Sequence, residues 1–265
     1  MRLLTAFSLA LFTLIQVGAR AGQGETSGQR ARAADPGQSS AAAEIDAINR
    51  RVQELYEAKK YDEAAGQAQA AVDTAERLFG AGSKEVSAQL NTLAGIHLAR
   101  HDTGKAKKAL ARMLELRERR PGPSEKFEQG ALERYACLIA TDRPSGADQS
   151  LDERISRVFI EDSVLAQGFS LSPDKRELRV GSASSKPQPV YPSEAKMTHT
   201  SGAAVMLISV DESGKVTDVT PLDCSSRAFI QAGADAARRA TFSPTLVNGK
   251  PVKVRSIISY RWIIY

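Results

Sequence analysis

Between residues 41 and 140 the chain repeats itself at a spacing of 42 residues. Tyr61-Asp-Glu-Ala64 aligns with Thr103-Gly-Lys-Ala106, Ile48 with Leu90 and Leu90 with Leu132, Val72 with Leu114, and Gly80 with Gly122. Three copies are present, the last cut short. A repeat of this kind restricts the fold severely, because each unit buries its apolar face on its neighbours and the chain must stack rather than close around one core. Each copy reads as a helix pair: the periodic run from Gln89 to Ala99, a turn at His101 to Gly104, then the run from Lys105 to Leu116. Small residues such as Ala94, Ala106 and Ala109 let neighbouring helices approach closely.

The last eighty or so residues follow a different rule. Residues 203 to 210 form a β-type run, Asp211 to Gly214 supplies turn residues, and Lys215 to Thr220 alternates again, so the stretch predicts a β-hairpin that Pro221 ends. From Ser226 to Ala240, Phe229, Ile230, Gly233, Ala236, Ala237 and Ala240 recur at helical spacing, with Ser225 or Ser226 able to cap the start. Asn248-Gly249 marks a turn, and the β-branched and aromatic run after Pro251 predicts a long final strand. Alternation places Val252, Val254, Ile258, Tyr260, Trp262 and Ile264 on one face, toward the helices, and Lys253, Arg255, Ile257, Ser259 and Arg261 on the other. In the hairpin, Val205 and Leu207 lie opposite Ala204, Met206 and Ile208, so both faces of the sheet are apolar and a second layer is expected to cover the outer one: the 151–180 segment, the helical array or a second copy.

Several of these residues recur together in one known family. Tyr191-Pro192 with Ala195 behind it, Gly202, the hairpin Val210-Asp211 to Gly214 and Val216, the Ala-Ala-Arg-Arg run at 236–239, Phe242 and Pro244, and Asn248-Gly249 with Pro251-Val252 resemble the TonB C-terminal domain in the family's order. The resemblance implies an α+β unit in residues 186–265, a three-stranded antiparallel sheet with two helices on one face. It also implies that the last strand is an edge that takes up an extended peptide from an outer-membrane receptor or another envelope partner. Lys253, Arg255, Ile257 and Ser259 are then the candidate partner-binding residues, joined by Gln188, which stands where the family has a glutamine close to the bound peptide. A TolA-like adaptor of envelope assembly, with no transport role, is the alternative. The family's transducers carry a Pro-rich spacer, whereas here helices take that place. The segment from Leu78 to Leu116 resembles a tetratricopeptide (TPR) array of the longer-period, kinesin-light-chain type, which implies a helical hairpin array with a face for a second protein.

Met1-Arg2, the apolar run from Leu3 to Val17 and Ala19-Arg-Ala21 read as a secretory signal cleaved before Gly22. An uncleaved inner-membrane anchor is the alternative, but fifteen residues at about 1.5 Å each reach only about 22 Å against a hydrocarbon core of about 30 Å. Export to the periplasm is expected. The segment 22–40 lacks large apolar side chains and predicts disorder, the array follows over 41–140, and 141–185 serves as a linker or cap. Within 141–185, Leu151 to Val164 has helical spacing, while 169–171 and 177–180 predict two short strands.

The formal charge of +5 includes Arg2 and Arg20, so the mature chain carries 34 basic against 31 acidic residues, a net of +3. That balance, without basic residues interleaved with aromatics, excludes a nucleic-acid groove as the expected function. His97 and His101 stand four apart, but no third ligand is near and no metal site is expected. Cys137 and Cys224 are expected as two separated thiols, a disulfide between them being permitted in an exported protein. No nucleophile–base arrangement and no phosphate loop is present, so no catalytic residue, cofactor or small-molecule substrate is expected.

Overall fold

The computed structural model of the chain describes residues 36–141 and 146–264. The expected signal segment 1–21 lies outside the described residues, as does most of the expected disordered segment 22–40. The end of the latter is helical, for the first helix opens at Pro36, an imino acid whose fixed φ and missing N–H suit the first turn of a helix.

Among the described residues six helices precede the strands: α1 (Pro36–Glu57), α2 (Tyr61–Phe79), α3 (Lys84–Ala99), α4 (Thr103–Arg119), α5 (Lys126–Thr141) and α6 (Gly146–Ala166). The 42-residue period sets their bounds. Helices α1, α3 and α5 end at Glu57, Ala99 and Thr141; α2 and α4 begin at Tyr61 and Thr103; α3 and α5 begin at Lys84 and Lys126. Local chemistry explains the recurrence. Gly80, at φ 85°, follows α2, and its counterpart Gly122, at φ 87°, lies beyond α4, a left-handed backbone that glycine adopts without a Cβ penalty. Ser83 Oγ accepts the Val86 N–H at the start of α3, and Asp102 Oδ1 accepts that of Lys105 at the start of α4.

The chain divides into two compact units, one ending at Arg119 and the other beginning at Arg120. In the first, α1 packs on α2, α2 on α3 and α3 on α4. Ala64, Ala68, Ala71 and Ala75 of α2 and Ala106 and Ala109 of α4 are buried, and these small side chains allow the close approach.

The second unit holds α5, α6 and the sheet. Strand β1 (Leu178–Arg179) and strand β2 (Ala183–Ser185) lead to α7 (Ser193–Met197), β3 (Gly202–Val210), β4 (Val216–Pro221), α8 (Arg227–Arg238), β5 (Thr241–Phe242), β6 (Leu246–Val247), β7 (Lys250–Pro251) and β8 (Val254–Trp262). The main sheet is antiparallel in the order β4-β3-β8, with Met206 opposite both Pro221 and Ile258. Turn chemistry fixes that register. Asp211 Oδ1 accepts the N–H groups of Ser213 and Lys215, and Gly214 sits at φ 87°. Asn248 and Gly249, both at positive φ, join β6 to β7 in the two-residue turn that suits strand twist. Of the two short strands expected between 169 and 180, only Leu178–Arg179 forms, because it alone finds a partner, β6.

Ala204, Met206 and Ile208 of β3 meet Ala195 of α7 and Phe229, Ala236 and Ala237 of α8, together with Val254, Ile258, Tyr260 and Trp262 of β8. Two helices on one face of a three-stranded sheet is the expected architecture. Neither candidate serine caps α8. Ser226 stands at the N-cap without a side-chain bond to the helix, and Ser225 Oγ instead bonds both the N–H and the C=O of Val205, at the level just past the end of β4, where the Leu222 N–H also donates to that carbonyl.

The opposite face of the sheet is covered as well. Helix α5 packs on β3 and β8, and α6 on β8. Val205, Leu207 and Ile257 are buried, as are Leu132, Ala136 and Ile139 of α5 and Ile155, Val158 and Phe159 of α6. Cys137 of α5 is disulfide-bonded to Cys224, in the loop between β4 and α8, with the two Cα atoms 5.7 Å apart. The expectation of two separated thiols is therefore corrected: α5 lies on the sheet, which brings its Cys137 to the loop, and 87 residues of intervening sequence conceal that proximity.

Candidate protein-docking edge

A sheet of order β4-β3-β8 has two edges, and β8 is the longer. In an antiparallel pair alternate residues turn their N–H and C=O toward the partner strand and the rest turn theirs away. The Arg255 N–H and the carbonyls of Lys253 and Ile257 bond to groups outside the sheet, so the odd-numbered residues of β8 face outward. The four strand residues expected to bind a partner, Lys253, Arg255, Ile257 and Ser259, thus form one row along the edge.

That row is not bare. Gln167 Nε2 of the turn after α6 donates to Lys253 O at 2.7 Å, Ser163 Oγ accepts the Arg255 N–H at 2.9 Å, and Ser156 Oγ donates to Ile257 O at 3.2 Å. At the far end the Ser259 hydroxyl donates to Asp152 Oδ2 at 2.6 Å. The Ser163 hydroxyl is fully used, since it also donates to Phe159 O at 2.7 Å. Sequence reasoning did not single out these residues of α6 and the turn after it. Their spacing of four, seven and four places them on one helical stripe, a signal present in the sequence but without meaning until its partner strand is known.

The fifth candidate, Gln188, is exposed and lies apart from the row. Its segment is held against the C-terminal end of β8: the Trp262 indole N–H donates to Val190 O at 3.2 Å, and the Lys186 ammonium sits 5.3 Å from the centre of the Tyr260 ring. Tyr191 closes this corner. Its hydroxyl donates to Thr200 O, and its ring meets Phe229 edge-on, while Phe229 stacks on Trp262 at 4.7 Å. Burial drives the Tyr260 hydroxyl up to about 12, so it stays neutral.

Charge along the edge is only partly available to a partner. The Arg261 guanidinium bonds the carbonyls of Ile139 and Ala140, at the negative end of the α5 dipole. Arg255 and Arg134 both favour the charged form of Glu133, yet burial outweighs them and holds that carboxyl above its ordinary range. Lys253 stands 3.9 Å from Glu212, both well exposed, a pair that contributes little. Among the described residues no group of three or more His, Cys, Asp or Glu could hold a metal ion, and no helix is long and apolar enough to cross a membrane.

The order of elements and the corner around Tyr191 agree with one family. Residues 187–264 match the family model of the Gram-negative bacterial TonB protein C-terminal. No curated protein matches the chain. The family is one of envelope protein–protein interaction domains, and the match covers the C-terminal part of the chain. Of the helices that precede the match, α1 to α4 stack in sequence as a helical array.

Proposed function

We propose that the protein is an exported, non-catalytic interaction module of the periplasm whose β8 edge takes up an extended segment of a protein partner, in TonB-type transport or energy transduction. The observation that carries this reading is the row of backbone groups at Lys253, Arg255, Ile257 and Ser259 that faces away from β3, whose bonds to side chains at Ser156, Ser163 and Gln167 an added strand could replace with main-chain hydrogen bonds. Lys253 and Arg255 favour an acidic segment, and Gln188 stands near the end of the same strand. Residues 41–140 act as a TPR-like array that docks a peptide or helix of a second protein, 141–185 link the array to the TonB-type domain of 186–265, and the leader is removed after Ala21. Because helices stand where transducers have a Pro-rich spacer, a TolA-like adaptor of envelope assembly is the second reading.

The test is made in cells. A photo-crosslinking residue at Lys253, whose side chain is exposed, is expected to give an adduct with an envelope protein. Ile257→Pro, which removes an outward N–H without disturbing the pairing with β3, should abolish that adduct. An adduct that persists in the Pro variant, or recovery of the chain only from the cytoplasm, refutes the reading.

A further inference from the structure

Helix α6 meets β8 with a regularity that packing alone does not require. From Asp152 to Gln167 is fifteen residues, about 22 Å of helix at 1.5 Å each, and from Ser259 back to Lys253 is six, about 20 Å of strand at 3.4 Å each. The two lengths match, and the pairs run in antiparallel order: Asp152 with Ser259, Ser156 with Ile257, Ser163 with Arg255, Gln167 with Lys253. Three of these side chains, Ser156, Ser163 and Gln167, thereby bond main-chain groups that an added strand would otherwise meet, and Asp152 takes the Ser259 hydroxyl. Serine is a poor choice for a helix interior, since it competes for backbone bonds. Ser156 and Ser163 are among the α6 residues whose hydroxyls bond the strand.

The other edge is guarded differently. Strand β4 is short and ends in Pro221, which has no N–H to give. Of the two helices that cover the sheet, α5 is tied to it through Cys137–Cys224, whereas α6 is held by side-chain contacts, so α6 is the one able to leave.

We propose that α6 is a built-in competitor for the docking edge: the stripe Asp152, Ser156, Ser163 and Gln167 holds β8 closed, and a partner strand enters only where α6 has lifted away. This rests on the strand-capture reading above. Capture by the whole chain is then weakened by the fraction of molecules in which the edge is open.

The experiment uses the full chain and a fluorescein-labelled extended peptide of alternating valine and glutamate, with binding followed by anisotropy. The triple variant Ser156→Ala, Ser163→Ala, Gln167→Ala removes three of the bonds and leaves the apolar side of α6 intact. The expected result is binding at least about tenfold tighter than wild type, lost again when Ile257→Pro is added. Hydrogen exchange at the Arg255 amide, which Ser163 holds, should speed up in Ser163→Ala alone, a readout that needs no peptide and a fold disturbed as little as possible. Equal binding by wild type and triple variant overturns the closing role and leaves strand capture standing, as for a helix that only shields the edge from aggregation. Faster exchange with no binding by either overturns strand capture and, with it, the competition. Unchanged exchange at Arg255 in Ser163→Ala overturns the assignment of the stripe itself.

Discussion

Replacing Cys137 and Cys224 together by alanine should weaken the second unit more than any single surface change. The bond closes a loop of 87 residues, and restricting a loop of that size in the unfolded chain stabilises the folded one by roughly 4.5 kcal/mol on the chain-entropy estimate. Relaxation of the native state lowers that figure, so a loss of about 2 to 4.5 kcal/mol is expected, or a fall in midpoint of about 5 to 15 °C for a unit of this size. The assay is well defined because the chain has one tryptophan, Trp262, and it stacks on Phe229 in the core beneath α8. Its fluorescence follows the second unit during thermal or urea unfolding, while far-UV circular dichroism also follows the helical array. A dithiol reductant should move the wild-type transition toward that of the double variant and leave the variant unmoved. A variant within about 0.5 kcal/mol of wild type, or a wild type insensitive to reductant, would refute the placement of α5 on the sheet.

Three further substitutions test other parts of the fold. Leu90→Asp puts a charge at a position only 2 % exposed and should lower the thermal midpoint of the array sharply; an unchanged midpoint would sink the 42-residue register. Gly202→Ala would place a Cβ 2.4 Å from Phe229 Cε2, a ring already fixed by Tyr191 and Trp262, and should cost about 1–3 kcal/mol by the Trp262 signal. Burial holds the Glu133 carboxyl above its ordinary value of 4.5, so the folded state keeps this proton longer than the unfolded one and stability falls as pH rises from there through the raised value. Glu133→Gln should remove that decline, and a pH–stability curve parallel to wild type would contradict it.

Helix bounds in the array were legible because they depend on local chemistry. Gly80, Ser83 and Asp102 terminate or start helices through their own backbone or side chain, and the repeat copies the instruction to Gly122. The hairpin, the Asn248-Gly249 turn and the inward face of β8 were legible for the same reason. What escaped the sequence was tertiary. Nothing near Cys137 indicates a partner 87 residues away, and Ser225 resembles a helix cap until its hydroxyl is found bonded to the backbone of Val205. That Lys253, Arg255, Ile257 and Ser259 share one side of the last strand was legible from alternation, but what lies against that side was not. Asp152, Ser156, Ser163 and Gln167 look like the solvent side of an amphipathic helix, and only the placement of α6 against β8 shows that the stripe faces a strand.

The disulfide also alters what it means for α6 to come away. Cys137 and Cys224 close a covalent ring, and α6 lies within it, joined on both sides to chain that stays on the sheet. A displaced α6 cannot diffuse off; it stays near β8 at an effective concentration on the order of millimolar. Any ligand arriving from dilute solution therefore competes against a tethered rival, and free affinity alone is a poor route to occupancy. A ligand confined to the same envelope surface, or held by a second contact elsewhere on the chain, enjoys the same advantage as α6 and can meet it on equal terms.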